Sequence, residues 1–377
     1  MFVNESDEVL LVSTKDFYYV IIKKSSAFLM AAVKPMPKTT KMVNGKSNSN
    51  QSTKSNSNKS KPTPEANLFQ PMSLEEIQPE LVAYGPNGDM LTISHDVSSK
   101  KAFQMLKEAN LLEFPRIVFM VHGFWGSSKS KWIHDLKQKF LEESDQTFVI
   151  VGWGKGAELP AFKYPQAVAN VEPVARWFSN HVLELKRKNI TKNISKGKIW
   201  GIGEGIGAHI VGLAGRWSQH AFDRITGLDP AGPGFELVNE DLMLRSDDSP
   251  FVDVCHTDSH HEYRSPELYS LINKYGTLKP CGTLDIYVNF GYNQPNAPDF
   301  TNAGSHLRAI ELFAWSIENP GELRTQFQLR ETPAIDKPVE KTKRVVVPAE
   351  LGYYADPKAT GNYYLETNSE EPWKEGF

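Results

Sequence analysis

The chain has 377 residues, with 42 Lys and Arg against 45 Asp and Glu, a net charge of −3 and 40% hydrophobic residues. By length alone it has room for two or three domains, but α/β folds often exceed the usual size as one unit. The charge excludes little, because the lysines of the first part are offset by acidic residues in the body. No run approaches the ~20 apolar residues of a membrane span, so no transmembrane segment is expected.

Met1-Phe-Val-Asn-Glu-Ser-Asp-Glu8 opens acidic, and a basic pair followed by a short apolar core comes only at Lys23–Val33, late and short for a standard signal peptide. Lys38 to Pro64 is a Ser/Asn/Lys tract with almost nothing to bury. Such a composition cannot offset its ordering entropy, so residues 1–65 are expected to be a disordered tail and 66–377 a single domain. Without interleaved aromatics the basic tail points to no specific nucleic-acid partner. Sequons at Asn4, Asn50, Asn58, Asn189 and Asn193 permit glycosylation if the chain is exported.

Beyond the tail, strands and helices alternate. Met90–Val97 reads as a strand, Ser98–Leu112 as a helix buried on Phe103 and Leu106, and Arg116–Val121 as a central strand. Phe148–Trp153 is another strand, Pro165–Lys188 a long helix, Lys198–Gly203 a strand and Ile206–His220 a helix. Arg224–Asp229 and Phe251–His256 continue the sheet, His306–Glu318 is a helix, and the aromatic-rich Gly352–Glu366 is an extended edge strand. Near-continuous apolar strands alternating with helices predict a doubly wound, mostly parallel sheet. Cys255 and Cys281 lie in strand-to-loop segments, so a disulfide between them and a pair of buried free thiols both stay open.

The strand-turn-helix at Gly203-Glu204-Gly205-Ile206-Gly207 has the shape of a G-x-S-x-G nucleophile elbow with glycine at the apex. Gly205 supplies no hydroxyl, which closes the acyl-serine route there. Two plainer readings exist for the glycines alone. They could serve tight packing, or a phosphate-binding loop, but the dinucleotide fingerprint belongs to the first βα unit and here at least two strand-helix units come before.

Around the elbow stand His122-Gly-Phe-Trp-Gly126, Val151-Gly-Trp-Gly154, Tyr164-Pro-Gln-Ala-Val-Ala-Asn170, Gly227-Leu-Asp-Pro-Ala-Gly-Pro233 and Ser305-His-Leu-Arg308. In order and spacing, from about Phe114 to Trp315, they resemble the pancreatic lipase family, an α/β-hydrolase fold. The resemblance implies that Asp229 and His306 complete a triad whose nucleophile position is Gly205. It also implies that the backbone N–H groups of Phe124 and Ile206 form an oxyanion hole, with Trp125, Phe162 and Tyr164 lining a site for a lipid or lipophilic small molecule. Active members carry a disulfide-clipped lid before the catalytic histidine, where Gly291–Gly304 is brief and cysteine-free. Only 71 residues follow His306, too few for the ~100-residue β-sandwich of many members.

The lost serine, reduced lid and absent sandwich resemble the single-domain insect branch that includes the yolk proteins. This implies a secreted chain that is not an enzyme, of storage or ligand-carrying type, with no cofactor or metal. The alternative is a carboxylic ester hydrolase of lipase or phospholipase A1 type with residual or unconventional activity. Glu204 beside the apex is then a possible nucleophile or base, although the residue before an elbow apex normally points away from the substrate side, so Glu204 is not expected to align with His306.

Overall fold

A computed structural model describes residues 8–13, 18–24, 27–33, 70–188, 198–236, 239–259, 274–297, 303–329 and 348–373. The chain divides into two units, Met1–Gln70 and Pro71–Phe377. In the first, β1 (Glu8–Ser13), β2 (Tyr18–Lys24) and β3 (Ala27–Val33) pair antiparallel in that order. The expectation of disorder throughout 1–65 is corrected for these segments, whose Val, Ile, Leu and Tyr content suits extended backbone. The apolar run read as a late signal core falls in β3. The Lys38–Pro64 tract lies outside the described residues.

The second unit is built on a ten-stranded sheet. Its strands are β4 (Glu80–Tyr84), β5 (Met90–Ile93), β6 (Arg116–Val121), β7 (Thr147–Gly152), β8 (Lys198–Glu204), β9 (Arg224–Leu228), β10 (Val252–His256), β11 (Leu284–Val288), β12 (Phe327–Leu329) and β13 (Gly361–Leu365). They lie in the order β12-β13-β11-β10-β9-β8-β6-β7-β4-β5. Every pairing from β7 through β6, β8, β9, β10 and β11 to β13 is parallel; β4, β5 and β12 join antiparallel. This is the α/β-hydrolase fold.

Successive residues of a strand face opposite sides of the sheet. In β6, Ile117, Phe119 and Val121 enter one core while Val118 and Met120 enter the other, so the strand must be apolar throughout. The first core is covered by α1 (Ser99–Glu108), α3 (Val171–Arg187) and α4 (Ile206–Trp217). The second is covered by α2 (Lys131–Glu143) and α5 (Gly304–Glu318).

Two expectations about elements are revised. The helix expected over Pro165–Lys188 is broken into Tyr164–Ala169 and α3. Pro173 has no N–H for the Ala169 carbonyl and its ring crowds that turn. The break leaves Asn170 buried, with Oδ1 accepting from Met72 N (2.9 Å) and Nδ2 donating to the Gly156 carbonyl (3.1 Å). The edge strand expected over Gly352–Glu366 is short and not at the edge, because β12 pairs on its outer side. The residues before it are pinned by Arg224, which donates to the carbonyls of Gly352 and Tyr353 and forms a buried pair with Asp253 at 2.7 Å.

Cys255 and Cys281 are free and buried. They belong to the two different cores, on opposite faces of the sheet, which leaves no path for a bridge. Burial also pushes both thiols well above their ordinary range, so neither is a ready nucleophile. Alkylation after unfolding without reductant is expected to label both thiols of each chain and, before unfolding, to label neither at a comparable rate. A chain that takes up label only after reduction would overturn this.

Candidate active site

The site is assembled where the parallel strands end. Gly205 joins β8 to α4 with φ 55 and ψ −118, a conformation that glycine accepts freely and that costs other residues on the order of 1–3 kcal/mol. A Cβ on Gly207 would collide with the Val121 carbonyl oxygen, so a glycine there lets the first turn of α4 pass directly over the end of β6. The apex keeps an elbow's geometry. A Cβ built on Gly205 would lie 3.0 Å from His306 Nε2.

Asp229 follows β9 with φ 44 and is fully buried. Its Oδ1 accepts from Thr257 N (2.8 Å) and Asp258 N (3.1 Å), just beyond β10, and its Oδ2 meets His306 Nδ1 at 2.6 Å. His306, in the first turn of α5, reaches Glu204 Oε1 with its other nitrogen at 2.9 Å. The structure therefore brings together Asp229, His306 and the apex, as the sequence suggests.

The expectation that Glu204 points away is corrected. Its carboxylate is buried over the end of the sheet, Oε2 accepting from Gly123 N at 2.7 Å while Oε1 faces the imidazole. A buried carboxylate needs hydrogen-bond partners, and these two are the ones within reach. With no side chain on Gly205, nothing stands between Glu204 and His306. The sequence signal was a charged residue ending the otherwise apolar Ile199–Gly203 run.

Electrostatically the imidazole lies between two carboxylates. Burial opposes a charge on His306, but the hydrogen bonds and charges of Asp229 and Glu204 outweigh it and raise the imidazolium well above its ordinary range. Asp258, which the sequence reading did not single out, is pushed up to about 6 by burial and by Asp229, against the opposing pull of Lys274 at 2.7 Å.

The loop His122–Gly126 is held from below. Burial lowers the His122 ring's tendency to charge. Its Nε2 accepts from Trp153 N at 3.0 Å, which leaves Nδ1 to donate to the Gly123 carbonyl. Trp153 stacks on the ring at 5.5 Å. This anchoring sets Gly123 N on Glu204 and places Phe124 beside it. Phe124 stacks on Trp125 (5.0 Å) and meets the edge of Tyr164 (5.1 Å), whose hydroxyl donates to the Pro233 carbonyl. Trp125 is 51% exposed, and Leu307, next to His306, is 37% exposed. Two of the aromatics expected to line a lipophilic site, Trp125 and Tyr164, thus both pack on Phe124, while the side chain of Phe162 lies outside the described residues. Ile206 is buried at the start of α4, directly after the apex. Of the shortened lid segment, residues 298–302 lie outside the described residues.

The lipase family model matches residues 46–373. The chain belongs to this family. Probable phospholipase A1 magnifin of Vespa magnifica is 31% identical over 299 residues, 76% of this chain and 81% of its own. Lipase member H-A of Xenopus laevis is 32% identical over 55% of this chain and 43% of its own. Pancreatic lipase-related protein 2 of Cavia porcellus is 32% identical over 54% and 43%. These relatives bear the names of lipases and phospholipases, which overturns the expectation that this lipase-family chain is not an enzyme. Inactivity followed from the missing Gly205 hydroxyl only as long as Glu204 pointed away, whereas its carboxylate lies beside His306.

The carboxylate environment of His306 has a pH signature. A group whose folded pKa lies above its unfolded value stabilises the fold fully below the unfolded value, about 6.5 for histidine, and loses that contribution as pH rises through the folded value. The stability of the chain is therefore expected to fall between pH 6.5 and the alkaline range, and to fall less steeply in Glu204→Gln. Urea unfolding across pH, with NMR titration of the His306 imidazole, checks both. Equal titration midpoints in the two proteins would refute the pairing.

Proposed function

We propose that this chain is a carboxylic ester hydrolase of lipase or phospholipase A1 type in which Glu204, rather than a serine, attacks the ester. The observation that carries the proposal is Glu204 Oε1 at 2.9 Å from His306 Nε2, with Asp229 at 2.6 Å on the other nitrogen. Because both neighbours of the ring are carboxylates, the resting imidazole is protonated and suited to act first as an acid.

In the first step Glu204 adds to the ester carbonyl, and backbone N–H groups of Phe124 and Ile206 receive the oxyanion. The C–O bond to the alcohol breaks, His306 gives its Nε2 proton to the departing oxygen, and an acyl-glutamyl anhydride remains. In the second step neutral His306, oriented by Asp229, takes a proton from water. The hydroxide attacks the anhydride and releases the carboxylate product and Glu204, with one further proton leaving to solvent. The sum is ester plus water giving carboxylate, alcohol and a proton.

The substrate class follows from family membership and from the rim of Phe124, Trp125, Tyr164 and Leu307, which offers apolar surface to an acyl chain. The 31% identity to a phospholipase A1 over 81% of that protein supports a glycerophospholipid ester in particular. Secretion is part of the same reading, supported by the kinship and by the sequons. No helix among the described residues is long and apolar enough to cross a membrane.

Hydrolysis of phosphatidylcholine in mixed micelles, or of short soluble esters, is expected in the wild type. It should fall roughly 10³-fold or more in kcat/KM in Glu204→Gln and in His306→Ala, about 4 kcal/mol of transition-state stabilisation. Hydroxylamine added during turnover should trap a hydroxamate at residue 204, read by peptide mass. Turnover that survives Glu204→Gln, or folded wild type with no turnover on either substrate, would refute the proposal.

Gly205→Ser separates this chemistry from that of a serine enzyme. The wild type is expected not to react with a fluorophosphonate probe. The serine variant should be destabilised by about 1–3 kcal/mol and labelled only slowly, because Glu204 competes for His306 Nε2. Stoichiometric labelling of the wild type would show a nucleophilic serine elsewhere.

A further inference from the structure

We propose that His256, Cys281 and Asp285 form a structural site for a divalent cation of the zinc class. His256 ends β10, Asp285 lies in β11, and Cys281 lies in the loop that leads into β11. All three are buried, and one donor atom from each lies within 4.8 Å of the other two. The set stands apart from the Asp229, Asp258 and His306 group, which belongs to the active site.

The arrangement of the imidazole is the first argument. Its Nδ1 donates to the Thr277 carbonyl at 2.7 Å, which leaves Nε2 facing Asp285 Oδ1 at 2.8 Å. A carbonyl on the far nitrogen is how a ligating histidine is normally fixed in tautomer and direction. Tyr287 stacks on the ring at 4.4 Å with 7° between planes and holds its orientation. Asp285 is equally fixed, because it accepts from Cys281 N (3.0 Å) and Gly282 N (3.0 Å), and the same turn brings the Cys281 side chain to it.

Charge is the second argument. A neutral imidazole, a thiolate and a carboxylate carry two negative charges, which one divalent cation cancels, leaving no net charge in a dry interior. One thiolate, one imidazole and one carboxylate are ligands that suit zinc, whereas magnesium and calcium prefer oxygen alone. On binding, the cation takes the place of the proton between Nε2 and Asp285 and of the thiol proton, so two protons are released and affinity rises with pH. Burial holds the thiol protonated until a cation displaces that proton. Glu236 is a further acidic group whose charge bears on His256; burial pushes it up to about 7, and it accepts from the Thr277 hydroxyl.

The site is placed to matter for the chemistry next to it without touching substrate. Thr257 and Asp258, whose N–H groups hold Asp229, directly follow His256, so a cation here would tie the end of β10 to β11 beneath the triad acid.

The test uses the full chain, stripped with chelator and incubated with zinc or cobalt(II) at pH 8. The expected result is one equivalent of zinc retained through desalting, a melting temperature higher by about 4 °C at saturating zinc, and a thiolate-to-cobalt absorption band in the cobalt form. Zinc affinity should fall at least tenfold in Cys281→Ser, while Asp258→Asn should retain the metal. No retained zinc overturns the proposal, and so does cobalt retained without the thiolate band, which reads on the wild type even if Cys281→Ser fails to fold. Retention lost in Asp258→Asn but kept in Cys281→Ser would place the metal at the active site instead and equally overturn it.

Discussion

Asp229 is a fully buried carboxylate on a left-handed backbone, and the rest of the site depends on how its charge is satisfied. Leaving water is costly for such a group unless each oxygen finds a donor. One oxygen takes the N–H groups of Thr257 and Asp258, which requires β10 to end at a set height beside β9. The other takes His306 Nδ1, which requires the first turn of α5 to arrive at the same place. Satisfying one carboxylate thus fixes two strand ends and a helix start, and the parallel register of β8, β9 and β10 carries that order back through the sheet.

Glu204 adds a second carboxylate on the opposite side of the same imidazole. The pair makes His306 a proton store between two anions, where a serine enzyme needs a neutral base. On the proposed mechanism, the same electrostatics that hinder a serine base suit a carboxylate nucleophile with an acid beside it. Asp258, pushed up to about 6, and its partner Lys274 extend this buried charge network one residue further from the elbow.

The sheet was legible because its strands are buried on both faces and so read as unbroken apolar runs, as in Arg116–Val121 and Phe148–Trp153. β4 and β12 were not read as strands, and β11 was read only as a strand-to-loop segment. β12 is only three residues long, and in β11 Asp285 interrupts the apolar pattern, although that carboxylate is buried against His256. The break at Asn170 hid inside a long amphipathic pattern, where Pro173 was the available sign. Asp229 and His306 were legible from their motifs. The orientation of Glu204 was not, since it follows from the missing bulk at residue 205 and from a backbone donor, Gly123 N, contributed by a loop 81 residues earlier. Membership of the lipase family was legible as well, but a single absent hydroxyl was given more weight than the groups that remained.

The apex glycine also shapes which sequences lie within reach of this one. A serine in the elbow holds a strained backbone, whereas glycine holds the same φ of 55 without strain. Folding stability therefore favours the present residue, and a change to serine starts from a deficit. Even then the new hydroxyl would compete with Glu204 for a single ring nitrogen, so installing a serine nucleophile takes two coordinated changes. On the proposed mechanism each intermediate is worse placed than the starting chain: serine with Glu204 is strained and slowed, and glycine without Glu204 lacks the attacking carboxylate. On that mechanism the elbow sits at a local optimum of sequence space.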